Sequence, residues 1–127
     1  MKKLVTFALM LFVLVTLAAC GVQAVQPQPR AEQLPVDTVE VSIAESLPVQ
    51  PMVRFKGALP NGCYSLGEIT QSREGNVITV DVKMNNSGAE ACTMMLEIID
   101  KSITLQGDFP AGEYTVIVNG MTQNFTI

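Results

Sequence analysis

Apolar and polar residues alternate along most of the chain once its N-terminal part has passed. The alternation has a period of two, which is typical of half-buried β-strands. Turn sequences rich in proline, glycine and asparagine separate the alternating stretches. The pattern predicts about seven or eight short strands and no helix after residue 20. Its clearest members are Val39-Val41-Ile43, Val53-Phe55 and Ile78-Val80-Val82-Met84.

The strongest local signal is Asn119-Gly120, which lies between two alternating runs near the C-terminus. Both central residues of a type I′ turn need a positive φ, which asparagine and glycine tolerate. The dipeptide therefore predicts a two-residue β-hairpin. Cross-strand partners follow from the turn: Val118 faces Met121, Val116 faces Gln123, and Tyr114 faces Phe125.

Many short strands without helices favour an all-β fold, an antiparallel two-sheet sandwich rather than a closed barrel. The segment Pro110-Ala111-Gly112-Glu113-Tyr114 resembles the corner before a late strand of immunoglobulin-like (Ig-like) domains. That resemblance implies a hydrogen bond from the Tyr114 hydroxyl to backbone a few residues upstream. We therefore expect an Ig-like sandwich over residues 38–127.

The N-terminus has a different organisation. Lys2 and Lys3 precede an apolar run that ends in Leu17-Ala18-Ala19-Cys20. The run is shorter than the roughly 20 residues that span a bilayer, and polar sequence follows it, as after a signal peptide. The stretch resembles the lipobox of bacterial lipoproteins. The resemblance implies a cleaved signal peptide over residues 1–19 and a lipid-modified Cys20; an uncleaved anchor is the alternative.

Residues 20–37 are rich in proline and glutamine and contain few large apolar groups. Such a composition predicts an extended linker rather than a packed core. At about 3.1 Å per residue the linker would hold the domain up to about 50 Å from the lipid surface. The expected location is the cell membrane or the outer membrane, with the domain facing the extracytoplasmic side.

Composition excludes several classes of function. Removal of Lys2 and Lys3 reduces the 8 basic residues to six, against 12 acidic ones. This balance argues against nucleic-acid partners, whose phosphates need a basic surface. The chain has no histidine, and so lacks the usual ligand of Zn, Cu and Fe sites and the usual base of Ser/His and Cys/His catalysis. We expect no cofactor and no metal site.

The remaining two cysteines, Cys63 and Cys92, form an even pair in an oxidising compartment, which predicts a disulfide. A bridge across about 30 residues would stabilise the fold by roughly 3–4 kcal/mol. Free thiols or a metal-binding pair are the alternative, although neither cysteine lies in a C-x-x-C motif.

Two groups of residues are candidates for a site. The carboxylates are scattered along strands and turns, which predicts solvated surface rather than catalysis or calcium binding. Along residues 92–99 a simple strand would place Met94, Leu96 and Ile98 in the core, and Met95 and Ile99 on the opposite face. Either a bulge resets the register there, or Met95 and Ile99 form an apolar patch for a partner.

Residues 39–127 are also similar to a group of small envelope lipoprotein domains of uncharacterised function, through the turn at Pro60-Asn61-Gly62, the cysteine pair and the C-terminal hairpin. The sequence predicts a non-catalytic binding or structural module of the cell envelope, attached to the membrane through Cys20, whose partner is a protein or a glycan. A surface-tethered protease inhibitor is the alternative.

Overall fold

The computed structural model describes residues 31–127, and these residues form two β-sheets that pack face to face. This part of the chain contains no helix, and so none that could cross a membrane. Eight strands make up the sheets: β1 (Ala31–Gln33), β2 (Val36–Ala44), β3 (Gln50–Leu59), β4 (Tyr64–Glu74), β5 (Val77–Asn86), β6 (Glu97–Thr104), β7 (Glu113–Val118) and β8 (Met121–Thr126).

The larger sheet has five strands and the smaller sheet has three. In the larger sheet β4 pairs with one edge of β5 along its whole length, while β1 and β7 share the other edge, and β8 follows β7. The smaller sheet has the order β2-β3-β6. The predicted β-sandwich is therefore confirmed, with one correction: β5 and β7 are parallel, whereas every other pair is antiparallel.

The core lies between the two sheets and follows the predicted alternation. In β5 the even-numbered residues from Ile78 to Met84 are buried, and in β3 the odd-numbered residues Val53 and Phe55 are buried. Charged and polar neighbours on the same strands face outwards. A period of two thus identified the inward face of these strands correctly, because one face of each is covered by the opposing sheet.

The C-terminal hairpin has the predicted turn and register. Asn119 has φ of 45° and Gly120 has φ of 89°, as a type I′ turn requires. All three predicted cross-strand pairs between β7 and β8 are present, including Tyr114 opposite Phe125. The Tyr114 hydroxyl donates a hydrogen bond to the carbonyl oxygen of Pro110 at 2.7 Å, which confirms the contact that the corner implied.

Asn119 also completes the junction where β1 and β7 meet along the edge of β5. Its Oδ1 accepts a hydrogen bond from the backbone N–H of Val82 at 2.8 Å. Its Nδ2 donates to the carbonyl oxygens of Leu34 and Val82, both at 2.7 Å. The side-chain amide therefore takes the place of a peptide group where neither strand continues, and satisfies backbone groups that would otherwise lack partners.

A second amide side chain connects the two sheets at the edge formed by β4 and β6. Gln71 Nε2 donates to the carbonyl oxygen of Thr104 at 3.0 Å, and the backbone N–H of Gln106 donates to Gln71 Oε1 at 3.1 Å. On the opposite side of the sandwich, β2 lies beside β8. Each side of the core is thus closed by contact between edges of the two sheets.

The start of the folded domain differs from the prediction. Residues 31–37 were expected to belong to the linker, but Ala31–Gln33 pairs with β5 and Leu34 is only 1% exposed. Pro35 also packs closely, since its carbonyl oxygen would lie 2.2 Å from a Cβ added at Gly57. Proline content alone was misleading, because Pro35 lies between strands, where it is tolerated. The predicted signal peptide and Cys20 lie outside the described residues.

Candidate interaction surface

One end of the sandwich combines the disulfide with a group of exposed apolar side chains. At this end β3 and β5 finish, β4 and β6 begin, and β1 enters the larger sheet. We call it the disulfide end. The segment between β5 and β6, residues 87–96, passes over it without regular secondary structure.

The predicted disulfide between Cys63 and Cys92 is present, with a Cα–Cα distance of 5.3 Å. It attaches the residue 87–96 segment to the start of β4. Two backbone hydrogen bonds of 2.9 Å support it: the N–H of Ser87 donates to the Cys63 carbonyl, and the N–H of Gly62 donates to the Thr93 carbonyl. The segment is therefore held at several points rather than by the disulfide alone.

Glycine at position 62 packs closely against the segment. A Cβ added there would lie 2.0 Å from Thr93 Oγ1 and 3.3 Å from Thr93 Cβ, so a larger residue would require the Thr93 side chain to rotate or the segment to shift. Asn61 fixes the turn from the other side, because its Oδ1 accepts a hydrogen bond from the Cys63 N–H at 3.0 Å. The sequence identified Pro60-Asn61-Gly62 as a turn, but only the packing of the segment explains why Gly62 must stay small.

Immediately after Thr93 come the most exposed large apolar residues of this end. Met94 is 91% exposed, Met95 72%, Leu96 63% and Ile98 65%. We call these four residues the apolar strip. The Thr93 carbonyl accepts a hydrogen bond from the Gly62 N–H just before the strip, and Glu97, between Leu96 and Ile98, pairs with Leu59 in β3. The backbone of the strip is thus held at its start and near its end.

This arrangement reverses the predicted orientation of β6. Ile99 is buried in the core, opposite Gly57, and is not part of a partner patch; Ile98 points outwards next to Ala58. Met94, Leu96 and Ile98 do not fill the core, while Met95 is exposed, as the partner-patch alternative required. The alternative of a bulge is wrong, since β6 pairs with β3 without a register shift. The prediction was wrong because β6 begins at Glu97, and the unpaired residues before it do not alternate.

On the outer face of the smaller sheet beside the apolar strip, two basic side chains contact one carboxylate. Arg54 makes a two-pronged hydrogen bond to the Asp100 carboxylate, with Nε 2.7 Å from Oδ1, and Lys56 Nζ lies 3.8 Å from Asp100 Oδ2. The hydrogen bond from Arg54 lowers the pKa of Asp100 and raises that of Arg54. This face therefore offers no unpaired charge at Asp100 to attract a charged ligand.

The carboxylates do not assemble into a site anywhere in residues 31–127. No three metal-ligating side chains come together there, and the same residues contain no buried polar or charged side chain. Asp81 accepts a hydrogen bond from Gln33 at 2.9 Å, and Arg73 lies over the Phe109 ring at 4.6 Å while donating to the Asp108 carbonyl. These contacts join neighbouring parts of the fold and leave the apolar strip as the candidate for recognition.

Comparison with known proteins gives a family match and similar chains. The family model described as the ORF11 beta-sandwich domain matches residues 53–127. An uncharacterized 10.2 kDa protein in the HgiCIIM 5′ region of Herpetosiphon aurantiacus is 31% identical over 88 residues, which cover 69% of this chain and 94% of that protein. Two further uncharacterized 10.2 kDa proteins of the same organism, in the HgiBIM and HgiEIM 5′ regions, are each 32% identical over 78 residues, covering 61% of this chain and 95% of each relative. No solved structure matches.

Proposed function

The chain belongs to the ORF11 β-sandwich domain family, and from this premise we propose that it is a lipid-anchored, extracytoplasmic lipoprotein whose Ig-like sandwich binds an envelope protein or glycan without catalysing a reaction. The observation that carries the proposal is the combination of Leu17-Ala18-Ala19-Cys20 with a disulfide in the domain that follows. Disulfides persist in oxidising compartments, which is where a lipobox would direct the domain.

The chemistry of the described residues supports binding rather than catalysis. The chain has no histidine, and its carboxylates are separated on the surface of residues 31–127. Catalytic acids and bases usually lie in clefts that shift their pKa values, whereas Asp100, whose pKa is lowered, lies in an exposed ion pair. An exposed apolar surface on a rigid frame is a feature of interaction sites.

Acylation is tested by growing cells that express the full chain with radiolabelled palmitate. We expect the wild type to incorporate label and the Cys20→Ala variant to lose it. The matched control is Cys92→Ala, which removes a different cysteine and should retain the label. Incorporation by Cys20→Ala would refute the lipobox interpretation.

Partner binding is tested by chemical cross-linking of intact cells followed by mass spectrometry. A binding module should yield repeated cross-links between one envelope component and one face of the domain. Cross-links that are spread evenly over abundant neighbours would argue against a specific partner.

A protease inhibitor is the second candidate, because the turn at Pro60-Asn61-Gly62 is fixed by the neighbouring disulfide and by the Asn61 side chain. A rigid exposed loop is the feature with which small β-domains block active sites. The purified protein should then inhibit a serine or cysteine protease, and the Asn61→Ala variant should inhibit less. Full protease activity at micromolar concentrations of the protein would eliminate this function.

A further inference from the structure

We infer that the apolar strip inserts into the interface of the same membrane that holds the lipid of Cys20, so that the domain rests on the bilayer with its disulfide end. The inference rests on the proposed lipid anchor, and it replaces the expectation that the linker holds the domain away from the membrane. The occupant of the strip is thus a phospholipid surface rather than a protein.

The chain enters the domain at its disulfide end. Ala31 pairs with Asn85, and Tyr64 pairs with Asn86, so β1 begins at the disulfide end. Eleven residue steps separate Cys20 from Ala31, and even a fully extended chain of that length spans at most about 40 Å. A lipid on Cys20 therefore attaches to the domain at this end of the sandwich, which lies nearer to the anchor along the chain than the opposite end does.

The surface at that end has the chemistry of a membrane-inserting patch. Methionine and leucine side chains without charge suit the boundary between headgroups and acyl chains, where peripheral proteins insert apolar residues. Glu90 precedes the strip, Glu97 lies within it between Leu96 and Ile98, and the chain as a whole is acidic. Attraction to anionic lipids therefore does not drive the contact, and insertion should be stronger into zwitterionic than into anionic vesicles.

The backbone of the apolar strip is held rigidly. The disulfide and the Gly62–Thr93 hydrogen bond fix it before Met94, and the pairing of Glu97 with Leu59 fixes it near Ile98. Insertion consequently orders few additional groups, which reduces the entropy lost on binding. A flexible loop with the same residues would lose more conformational freedom at the interface.

The molecule provides a matched control at its other end. Leu47 is 99% exposed in the turn between β2 and β3, and the pairing of Ala44 with Gln50 places that turn at the far end of the smaller sheet from Leu59. An equally exposed apolar side chain thus faces away from the membrane if the inference is correct.

The test uses fluorescence, because the chain contains no tryptophan. The full chain carrying Met95→Trp or Leu47→Trp is reconstituted into zwitterionic vesicles with or without brominated phospholipid, which quenches tryptophan on contact. We expect Met95→Trp to emit at shorter wavelength in vesicles and to lose most of its emission to the brominated lipid. Leu47→Trp should show neither change.

The outcomes separate this inference from the proposed anchor when acylation of Cys20 is measured by mass spectrometry on the same samples. Acylated protein with an unquenched Met95→Trp overturns the inference and leaves the anchor intact. A blue shift without quenching also overturns it, because a second copy or another protein then covers the strip. Quenching of Met95→Trp in protein without acylation supports insertion and removes the anchor, whereas equal quenching of both variants overturns the predicted orientation.

Discussion

Asn119 connects three segments of the fold through a single side chain, and its removal is the most informative perturbation of the domain. The Asn119→Gly variant keeps the turn, because glycine adopts the φ of 45° without strain. It removes the acceptor of the Val82 N–H and the donor to the Leu34 carbonyl. The Val82 carbonyl retains a partner, since it also accepts from the Leu34 N–H at 2.9 Å.

The expected loss of stability follows from those two backbone groups. Leaving a buried polar group unsatisfied costs about 1–3 kcal/mol, so two groups in a partly buried position should lower the free energy of unfolding by about 2–4 kcal/mol. Small domains are stabilised by only about 5–15 kcal/mol in total. Asn119→Asp should also destabilise, because one carboxylate oxygen would then face the carbonyl oxygens of Leu34 and Val82 without a hydrogen between them.

Urea unfolding followed by circular dichroism, with the disulfide intact, measures this effect as a change in the midpoint at constant slope. The control is Asn124→Ala on the same hairpin, whose side chain accepts an exposed hydrogen bond from Thr115 and should cost less than about 1 kcal/mol. If Asn119→Gly unfolds within about 0.5 kcal/mol of wild type, the side-chain amide does not complete the sheet and the reasoning is wrong.

Three further predictions concern other contacts. Gly62→Ala should destabilise the domain by more than about 1 kcal/mol, because the new Cβ would lie 2.0 Å from Thr93 Oγ1. Adding Thr93→Ala to this variant should restore part of the lost stability, as measured by thermal unfolding. A lack of recovery would contradict the proposed clash. The hydrogen bond from the Arg54 guanidinium lowers the pKa of Asp100 from 3.8. The contribution of ionised Asp100 to folding stability is therefore present above that pH and is lost as the pH falls through the lower pKa of the folded state. Wild type and Asp100→Asn should converge in stability on acidification, whereas a constant difference would refute the assignment. Replacing Cys63 and Cys92 together by serine should lower the free energy of unfolding by about 3–4 kcal/mol, and a change below about 1 kcal/mol in urea unfolding would show that the backbone contacts alone hold the residue 87–96 segment.

Much of the fold could be predicted because its signals are local. The type I′ hairpin depends on two residues that accept positive φ, and its register follows by counting from Asn119-Gly120. Which residues of β5 face the core follows from the alternation of apolar and polar residues, which is uninterrupted from Ile78 to Met84. The disulfide could be predicted because only two cysteines remain once Cys20 is assigned to lipid.

The candidate site could be predicted only in part. The sequence marked residues 92–99 as anomalous and left Met95 either covered or exposed, and in the structure Met95 is exposed. It placed Ile99 outside and Leu96 inside, and both assignments were wrong. An apolar run contains no information about where pairing starts, and one residue of difference moves every side chain to the other face.

By itself, the sequence determined which stretches form strands, where the last hairpin turns, and which cysteines pair, because each of these depends on a few neighbouring residues or on simple elimination. Only the tertiary structure decided that Leu34 belongs to the core, that β1 and β7 share the edge of β5 through Asn119, and that the apolar strip lies at the end where the chain enters. These features depend on which segments meet across the sandwich. A partner distant in the sequence, and not the residue's own neighbours, therefore determines whether a side chain is buried, bonded or exposed.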